Sequence, residues 1–532
     1  MTLEEQRDNR SPTLANETKA TSSRPTSLRD LAAMLRSNKG RAAMIGFLGA
    51  LLTTVGGFGA GSTLVIDRLL EDAHLSWMRF GHGLVLSSTT VWVGVACMIV
   101  AWIQLGRLVL VRDVALNELR VIVGMWILPL LFAVPMFSRD TYSYLAQGAL
   151  LRDGFDPYSV GAAANPGVFF DNVSTVWINT PSPYGPGFLL IAEGVTMVAG
   201  NNLVAGVILM RLAMLPGLAL MVWAVPYLAR YFHGKPAVAL WLAVLNPLVL
   251  IHLIGGVHNE TLMVGLMVAG IALVLKRKHI AGIALISIGF TIKAMAALAL
   301  PFIVWIWVIH ERERREAAGE GPEPRPMILF AKCASLGAVI FASVYAAASV
   351  TAGVGIGWVS ALQGSNQIKN WLSLPTVLAH AVTWFTPLRL DPVLSVTRPI
   401  CWIVLVAVLV GTWWRFRRSE RDAVTGIAVA LIAVVILSPA ALPWYYSWPL
   451  AVGAGFVIST RLLMFLAGIC TFVMLVFLPD GPPASPLHVV LALLGAVVAA
   501  ISLRFEDPLR LRARKKETSA VTVGTAVRIG DI

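Results

Sequence analysis

Uninterrupted apolar runs of 17–27 residues recur along most of this 532-residue chain, and they constrain its fold more than any other feature. A bilayer core of ~30 Å takes about 20 helical residues to cross, and hydrocarbon leaves backbone N–H and C=O groups only one another as partners. The runs therefore predict an all-α polytopic integral membrane protein. No soluble domain of ordinary size fits between them. The first run begins near Ala43, behind a polar tail, which is not the pattern of a cleavable signal peptide. Cys97, Cys333, Cys401 and Cys470 all lie within apolar runs, which argues against a disulfide framework or a cysteine metal site.

A net charge of +13 invites a nucleic-acid reading, but its distribution argues against one. Basic residues cluster beside the runs, at Arg36/Lys39/Arg41, Arg107/Arg112/Arg120, Lys276-Arg277-Lys278, Arg312/Arg314/Arg315, Arg415/Arg417/Arg418/Arg421 and from Arg510 to Lys516. This is the positive-inside signature of a plasma-membrane protein with both termini cytoplasmic. The bilayer is the expected partner, and no nucleic-acid motif is visible.

Charge bias and run length map the chain as follows. Residues 1–40 read as a disordered cytoplasmic tail, 41–505 as the transmembrane domain and 506–532 as a basic cytoplasmic tail. Spans are predicted at about 43–66, 84–105, 121–137, 203–229, 238–254, 261–275, 327–349, 395–414, 422–442, 446–460, 462–478 and 487–503. The stretch 188–200 is short and reads as an interfacial or re-entrant helix. Residues 280–309 have basic ends, so they must enter and return, with Lys293 at the tip. The total is about 14 helices (13–15), as a helical bundle. Two long extracytoplasmic loops remain, 138–202 and 350–394, with interfacial helices in them.

The first loop opens with Asp140, in the run Asp140-Thr141-Tyr142-Ser143-Tyr144-Leu145-Ala146-Gln147-Gly148. Helical spacing puts Asp140, Ser143/Tyr144 and Gln147 on one face of a helix at the membrane surface. Asp140 is either its N-cap or a reactive carboxylate. His258-Asn259-Glu260 occupies an outer turn, as a hydrated cap or as a base or cation site. Lys293 either snorkels or holds a phosphate. Arg211, roughly 12 Å inside its span, needs a partner such as Glu193 or a phosphate. Arg398 lies at the outer start of its span, and Lys369 in the loop before it. Trp371, Trp444, Tyr445, Tyr446 and Trp448 are belt residues or sugar platforms. Together these describe an outer cavity with one carboxylate, several cations and aromatic rims, suited to transfer from an anionic lipid-linked donor to a hydroxyl acceptor.

Asp140-x-Tyr-x-Tyr with Gly148, Gly154-Phe155-Asp156-Pro157-Tyr158 and Ser182-Pro183-Tyr184-Gly185-Pro186 resemble the actinobacterial polyprenol-phosphate-mannose-dependent α-1,6-mannosyltransferases of the MptB type. The similarity continues through Gly256-Val257-His258-Asn259-Glu260, Ile292-Lys293 and Pro443-Trp444-Tyr445. It implies a glycosyltransferase of the C class, with Asp140 as the catalytic acidic residue of the first outer loop, the base that takes the proton from the acceptor O6. The implied donor is polyprenyl-phosphate mannose, and the acceptor a phosphatidylinositol-mannoside or short mannan. The product would extend the backbone of lipomannan and lipoarabinomannan. A β-linked donor and an α-linked product imply inversion in one displacement. Lys293, Arg211, Lys369 and Arg398 are the candidate contacts for the donor phosphate. Tyr142, Tyr144, Asp156, Tyr184, His258, Glu260, Trp371, Trp444 and Tyr445 are candidate acceptor or sugar contacts. No metal site and no nucleotide-sugar motif is visible, although a divalent cation stays compatible with the chemistry.

Two other readings share the hydropathy. A flippase of a lipid-linked sugar would show paired broken helices in two similar halves and acids at mid-membrane, whereas here the acids lie almost entirely outside or inside and the halves differ. A transferase of the same class for arabinofuranose or glucose differs only in a few hydroxyl contacts.

Overall fold

The computed structural model describes residues 36–320, 326–456 and 459–504. The two predicted tails lie almost wholly outside these residues, except that helix α1 already starts within the first, at Asn38. Every element among the described residues is helical, apart from one isolated bridge between Phe477 and Pro483.

The helices that position the site are α1 (Asn38–Ala60), α2 (Gly81–Leu110), α3 (Leu116–Leu130), α4 (Asp140–Arg152), α5 (Pro186–Ala199), α6 (Leu203–Tyr231), α7 (Pro236–Ala243), α8 (Pro247–Leu250), α9 (Glu260–Leu275), α10 (His279–Ile292), α11 (Leu300–Ala317), α12 (Pro326–Ala352), α13 (Leu374–Phe385), α14 (Leu390–Arg415), α15 (Glu420–Leu437), α16 (Ser447–Gly453), α17 (Thr460–Leu475) and α18 (Pro486–Ser502). Six stretches are long and apolar enough to cross a bilayer: Asn38–Ala60, Gly81–Leu110, Leu203–Tyr231, Ala294–Ala317, Met327–Ala352 and Leu390–Arg415. Pro236–Ala243 and Pro247–Gly255, bent by 49°, make a seventh if taken as one broken span. Six further apolar helices, α5, α9, α10, α13, α17 and α18, are only 10–17 residues long. The predicted span at 446–460 is instead a short α16 followed by a 3-10 turn, Ala454–Phe456.

The breaks between these helices matter more than their number. After α8 the chain makes a π turn, Ile251–Gly255, and then Val257 takes φ 58° before α9 begins at Glu260. A β-branched residue at positive φ is costly and persists only where its surroundings impose it. Arg211 of α6 supplies part of that imposition. Its guanidinium donates to the carbonyls of Ile254 (2.8 Å) and Gly255 (3.1 Å) in the π turn, and to those of Leu131 (2.7 Å) and Ala133 (2.7 Å) beyond α3. Helix ends leave such carbonyls unpaired, and here one buried cation joins two of them.

α4 is not the surface-lying helix expected. Residues 141–150 are all buried, because α5 packs along it at close range. A Cβ on Gly148 would lie 2.3 Å from the carbonyl oxygen of Ala192, so only glycine permits that approach. The break after α10 falls at Lys293, which is extended (φ −152°, ψ 131°) before the 3-10 turn Ala294–Ala299 leads into α11. The two ends of this hairpin meet again, with the rings of His279 and His310 5.0 Å apart.

Candidate active site

Four chain breaks converge at one end of the bundle: the start of α4, the turn before α9, the break at Lys293 and the 3-10 turn Pro443–Tyr446 before α16. Three of them line a cavity of about 300 Å³, and the turn before α9 lies behind it. At its polar end lie Asp140, Ser143, Gln147, Trp177, Tyr184, Lys293, Tyr445 and Trp448. Its other walls are apolar and run along α14 through Trp402, Leu405 and Leu409, with Val434 of α15 and Leu298 opposite.

Asp140 is the first residue of α4, and Arg139 occupies the cap position. The carboxylate therefore caps nothing. Its own backbone N–H donates to Ser138 Oγ at 3.1 Å. Burial pushes its pKa from 3.8 up to about 6, Lys293 opposes that shift, and Glu260 adds to it. Hydrogen bonds from the Ser138 and Trp177 side chains also favour the charged form.

His258, Asn259 and Glu260 are fully buried, so the turn is not the hydrated cap that the sequence allowed. The Nδ1 atom of His258 is 3.7 Å from Asp140 Oδ2, 4.0 Å from Glu260 Oε2 and 3.5 Å from the Tyr144 hydroxyl. Trp444 stacks on the imidazole with centroids 3.6 Å apart. Burial, with His252 and Lys293 adding to it, holds His258 well below its usual pKa, so the ring is neutral.

Glu260 is ion-paired with Lys293. The ammonium also sits 4.8 Å from the Tyr445 ring, 5.5 Å from Tyr184 and 5.9 Å from Trp448. Three aromatic faces stabilise a desolvated cation electrostatically. Tyr184 reaches it because the Ser182–Pro186 turn lies against the break after α10. The amide of Gly185 donates to Ile292 O at 3.3 Å, and a Cβ on Gly185 would lie 2.4 Å from Thr291 O.

Residues 43–309 match the family described as "Alpha-(1->6)-mannopyranosyltransferase, N-terminal domain", and residues 374–505 match the "MptB C-terminal domain". The alpha-(1->6)-mannopyranosyltransferase A of Mycobacterium tuberculosis is 52% identical, over 83% of this chain and 85% of that protein. The chain belongs to the alpha-(1->6)-mannopyranosyltransferase family. It is a membrane-embedded glycosyltransferase of the mannosyl branch. The A protein of Corynebacterium glutamicum is 37% identical over 84% of this chain and 94% of its own length. The B protein of the same organism is 30% identical, over 76% of this chain and 71% of its own length. Identity is thus higher to these A-named transferases than to the B-named one. No solved structure matches the chain.

Several candidates of this transferase lie away from the cavity, and each has a visible reason. Arg211 is engaged by four carbonyls, not by Glu193 or a phosphate. Lys369 pairs with Asp391 at 2.5 Å, and Arg398 donates to Ile368 O at 2.9 Å. Asp156 closes its own turn, accepting from the Tyr158 amide (2.9 Å) and the Ser159 hydroxyl (2.6 Å). Tyr142 is buried with its hydroxyl on Ser62 O at 2.5 Å. Trp371 stacks on His380 at 4.2 Å and stays exposed, as a belt residue does. Tyr144, His258, Glu260 and Trp444 stand behind the lining, while Asp140, Tyr184, Lys293 and Tyr445 form part of it. Trp177 was missed. It lies in a loop without periodicity, where no spacing rule reaches it.

Proposed function

We propose that this enzyme is an inverting α-1,6-mannosyltransferase that takes mannose from polyprenyl-phosphate mannose on the extracytoplasmic face of the membrane. The acceptor is a phosphatidylinositol-mannoside or short mannan, so the product extends the backbone of lipomannan and lipoarabinomannan. The bundle then comprises about 14 membrane-embedded helices, once the short apolar ones are included, with both termini cytoplasmic.

One observation carries this reading: the cavity joins a carboxylate and an ammonium at its polar end to an apolar gallery along α14 and α15. A prenyl chain suits the gallery, and its phosphate suits Lys293, which among the described residues is the cation lining the cavity. Asp140 removes the proton from the acceptor O6 as that oxygen forms its bond to the anomeric carbon. The bond from that carbon to the phosphate oxygen breaks, and the electron pair leaves with the phosphate. Lys293 meets the charge that develops there. A raised pKa suits Asp140 to the role, since a base near the working pH transfers protons most effectively. No step in this scheme calls for a metal.

The test uses the protein in nanodiscs with labelled polyprenyl-phosphate mannose and a short α-1,6-mannoside. The reading expects a product one mannose longer, with an α-1,6 linkage and a released polyprenyl phosphate. Transfer only from a nucleotide sugar, or a retained β linkage, would overturn it.

A further inference from the structure

One polar atom in the cavity lining lacks the partner that a buried group normally finds, and an amide stands one helical turn beyond it. Ser143 is 6% exposed, and its Oγ has no hydrogen-bond partner among the described residues. Gln147 is 8% exposed, and its Oε1 accepts from Ser182 Oγ at 2.9 Å. That contact fixes which end of the amide faces the protein, and the NH₂ is left with no protein partner among the described residues. Both side chains line the cavity, on the same wall as Asp140. A buried polar atom without a partner, as Ser143 Oγ is, is rare and calls for an explanation, and a ligand hydroxyl is one.

Their spacing gives the ligand a shape. Asp140, Ser143 and Gln147 stand at i, i+3 and i+7 on one face of α4, so Ser143 lies about 4.5 Å and Gln147 about 10.5 Å along the axis from the base. Helical side chains lean back toward the N-terminus, which shortens the reach from Gln147 to a ring held at Asp140. The stripe therefore matches one pyranose whose exocyclic hydroxyl meets Asp140 and whose ring hydroxyls run along the helix. Lys293, at the break after α10, and the apolar gallery belong to other elements of the lining, and the donor is assigned to them.

We infer that Ser143 and Gln147 read the ring hydroxyls of the acceptor sugar, with Ser182 setting the direction of the Gln147 amide. Ser143 both donates and accepts, whereas Gln147 presents two donors. Sites built to bond a hydroxyl discriminate strongly against an analogue that lacks it, because their own groups are then left unpaired. This inference rests on the mannosyl-transfer reading above.

The experiment compares an α-1,6-mannobioside acceptor with analogues deoxygenated singly at C2, C3 and C4 of the terminal ring. The enzyme is tested as wild type, Gln147→Met and Ser143→Ala. Wild type is expected to lose about tenfold or more in kcat/KM for at least one analogue. In Gln147→Met or Ser143→Ala that penalty should vanish, with parent and analogue used equally, while the KM for donor is unchanged. Ser182→Ala keeps the Gln147 side chain but frees its amide, and should reduce the same penalty. It serves if Gln147→Met does not fold. Penalties that persist in every variant, or that never appear in wild type, overturn the inference while leaving mannosyl transfer intact. A penalty that shifts to deoxygenated donors would assign the stripe to the donor sugar and overturn it too. Absence of any transfer by wild type would instead sink the underlying reading.

Discussion

The Nδ1 atom of His258 lies 3.7 Å from Oδ2 of Asp140, and the imidazole is pinned there by Trp444 stacked 3.6 Å away. The neutral imidazole thus packs behind one carboxylate oxygen, beyond hydrogen-bond range of it. His258 is not part of the cavity lining but lies behind Asp140, which is, so a positioning role through Asp140 is the expectation. Replacing it by Ala is expected to lower kcat by about tenfold to a hundredfold, as loss of positioning does, with KM for donor little changed. Gln, which can still offer a polar atom, should recover part of that loss. Steady-state kinetics separate this from a sugar-binding role, in which acceptor KM would rise first.

Acid should titrate the base before it damages the fold. Asp140 has a native pKa of about 6 against 3.8 for the free group, so its carboxylate is disfavoured inside the protein. Protonating it as pH falls through that window favours the folded state, and stability is not lost there through this residue. Transfer rate should nevertheless fall about tenfold per unit below pH 6, reversibly, because a protonated base cannot accept. Lys293 lowers the Asp140 pKa, so Lys293→Met should move this acid limb to higher pH. A pH–rate profile of both proteins checks the sign.

Glu260 and Lys293 form a buried pair, and removing one partner strands the other. Glu260→Ala should cost about 3–5 kcal/mol of stability. The double change Glu260→Leu with Lys293→Met should be milder than either single one, since no lone charge remains. Donor affinity should stay poor in the double variant, because the phosphate has lost its cation. Thermal unfolding in detergent and donor KM together distinguish the two contributions.

Much of this site was legible as isolated charge in an apolar chain. Asp140, Glu260 and Lys293 stood out because each interrupts hydrophobic sequence at a run's end, and the break at Lys293 follows from arms with basic ends and too few residues to cross. The pairing of Glu260 with Lys293 was not legible, since it joins residues 33 apart through a turn whose geometry depends on Val257 and Arg211. Arg211 shows the opposite difficulty. An arginine inside a span suggests an anionic partner, yet backbone carbonyls at broken helix ends serve equally, and sequence does not mark where those ends meet. The depth of α4 was hidden too, because burial by α5 depends on a glycine contact between two helices that hydropathy treats separately.

Arg211 should accordingly behave as a structural residue. Arg211→Met removes a donor from four carbonyls, of which Gly255 O keeps the Met136 amide, and should destabilise the protein by about 3 kcal/mol or more. Donor KM of the fraction that folds should match wild type. A selective rise in donor KM would instead return Arg211 to the phosphate.

The proposed chemistry turns on Asp140 as the base. Asp140→Asn keeps the side chain's shape and removes its basicity, so membranes or nanodiscs carrying it should be compared with wild type for transfer from polyprenyl-phosphate mannose to a short α-1,6-mannoside. A fall in kcat of about 10²–10⁴-fold is expected, with donor binding retained. Transfer at the wild-type rate by Asp140→Asn would contradict it.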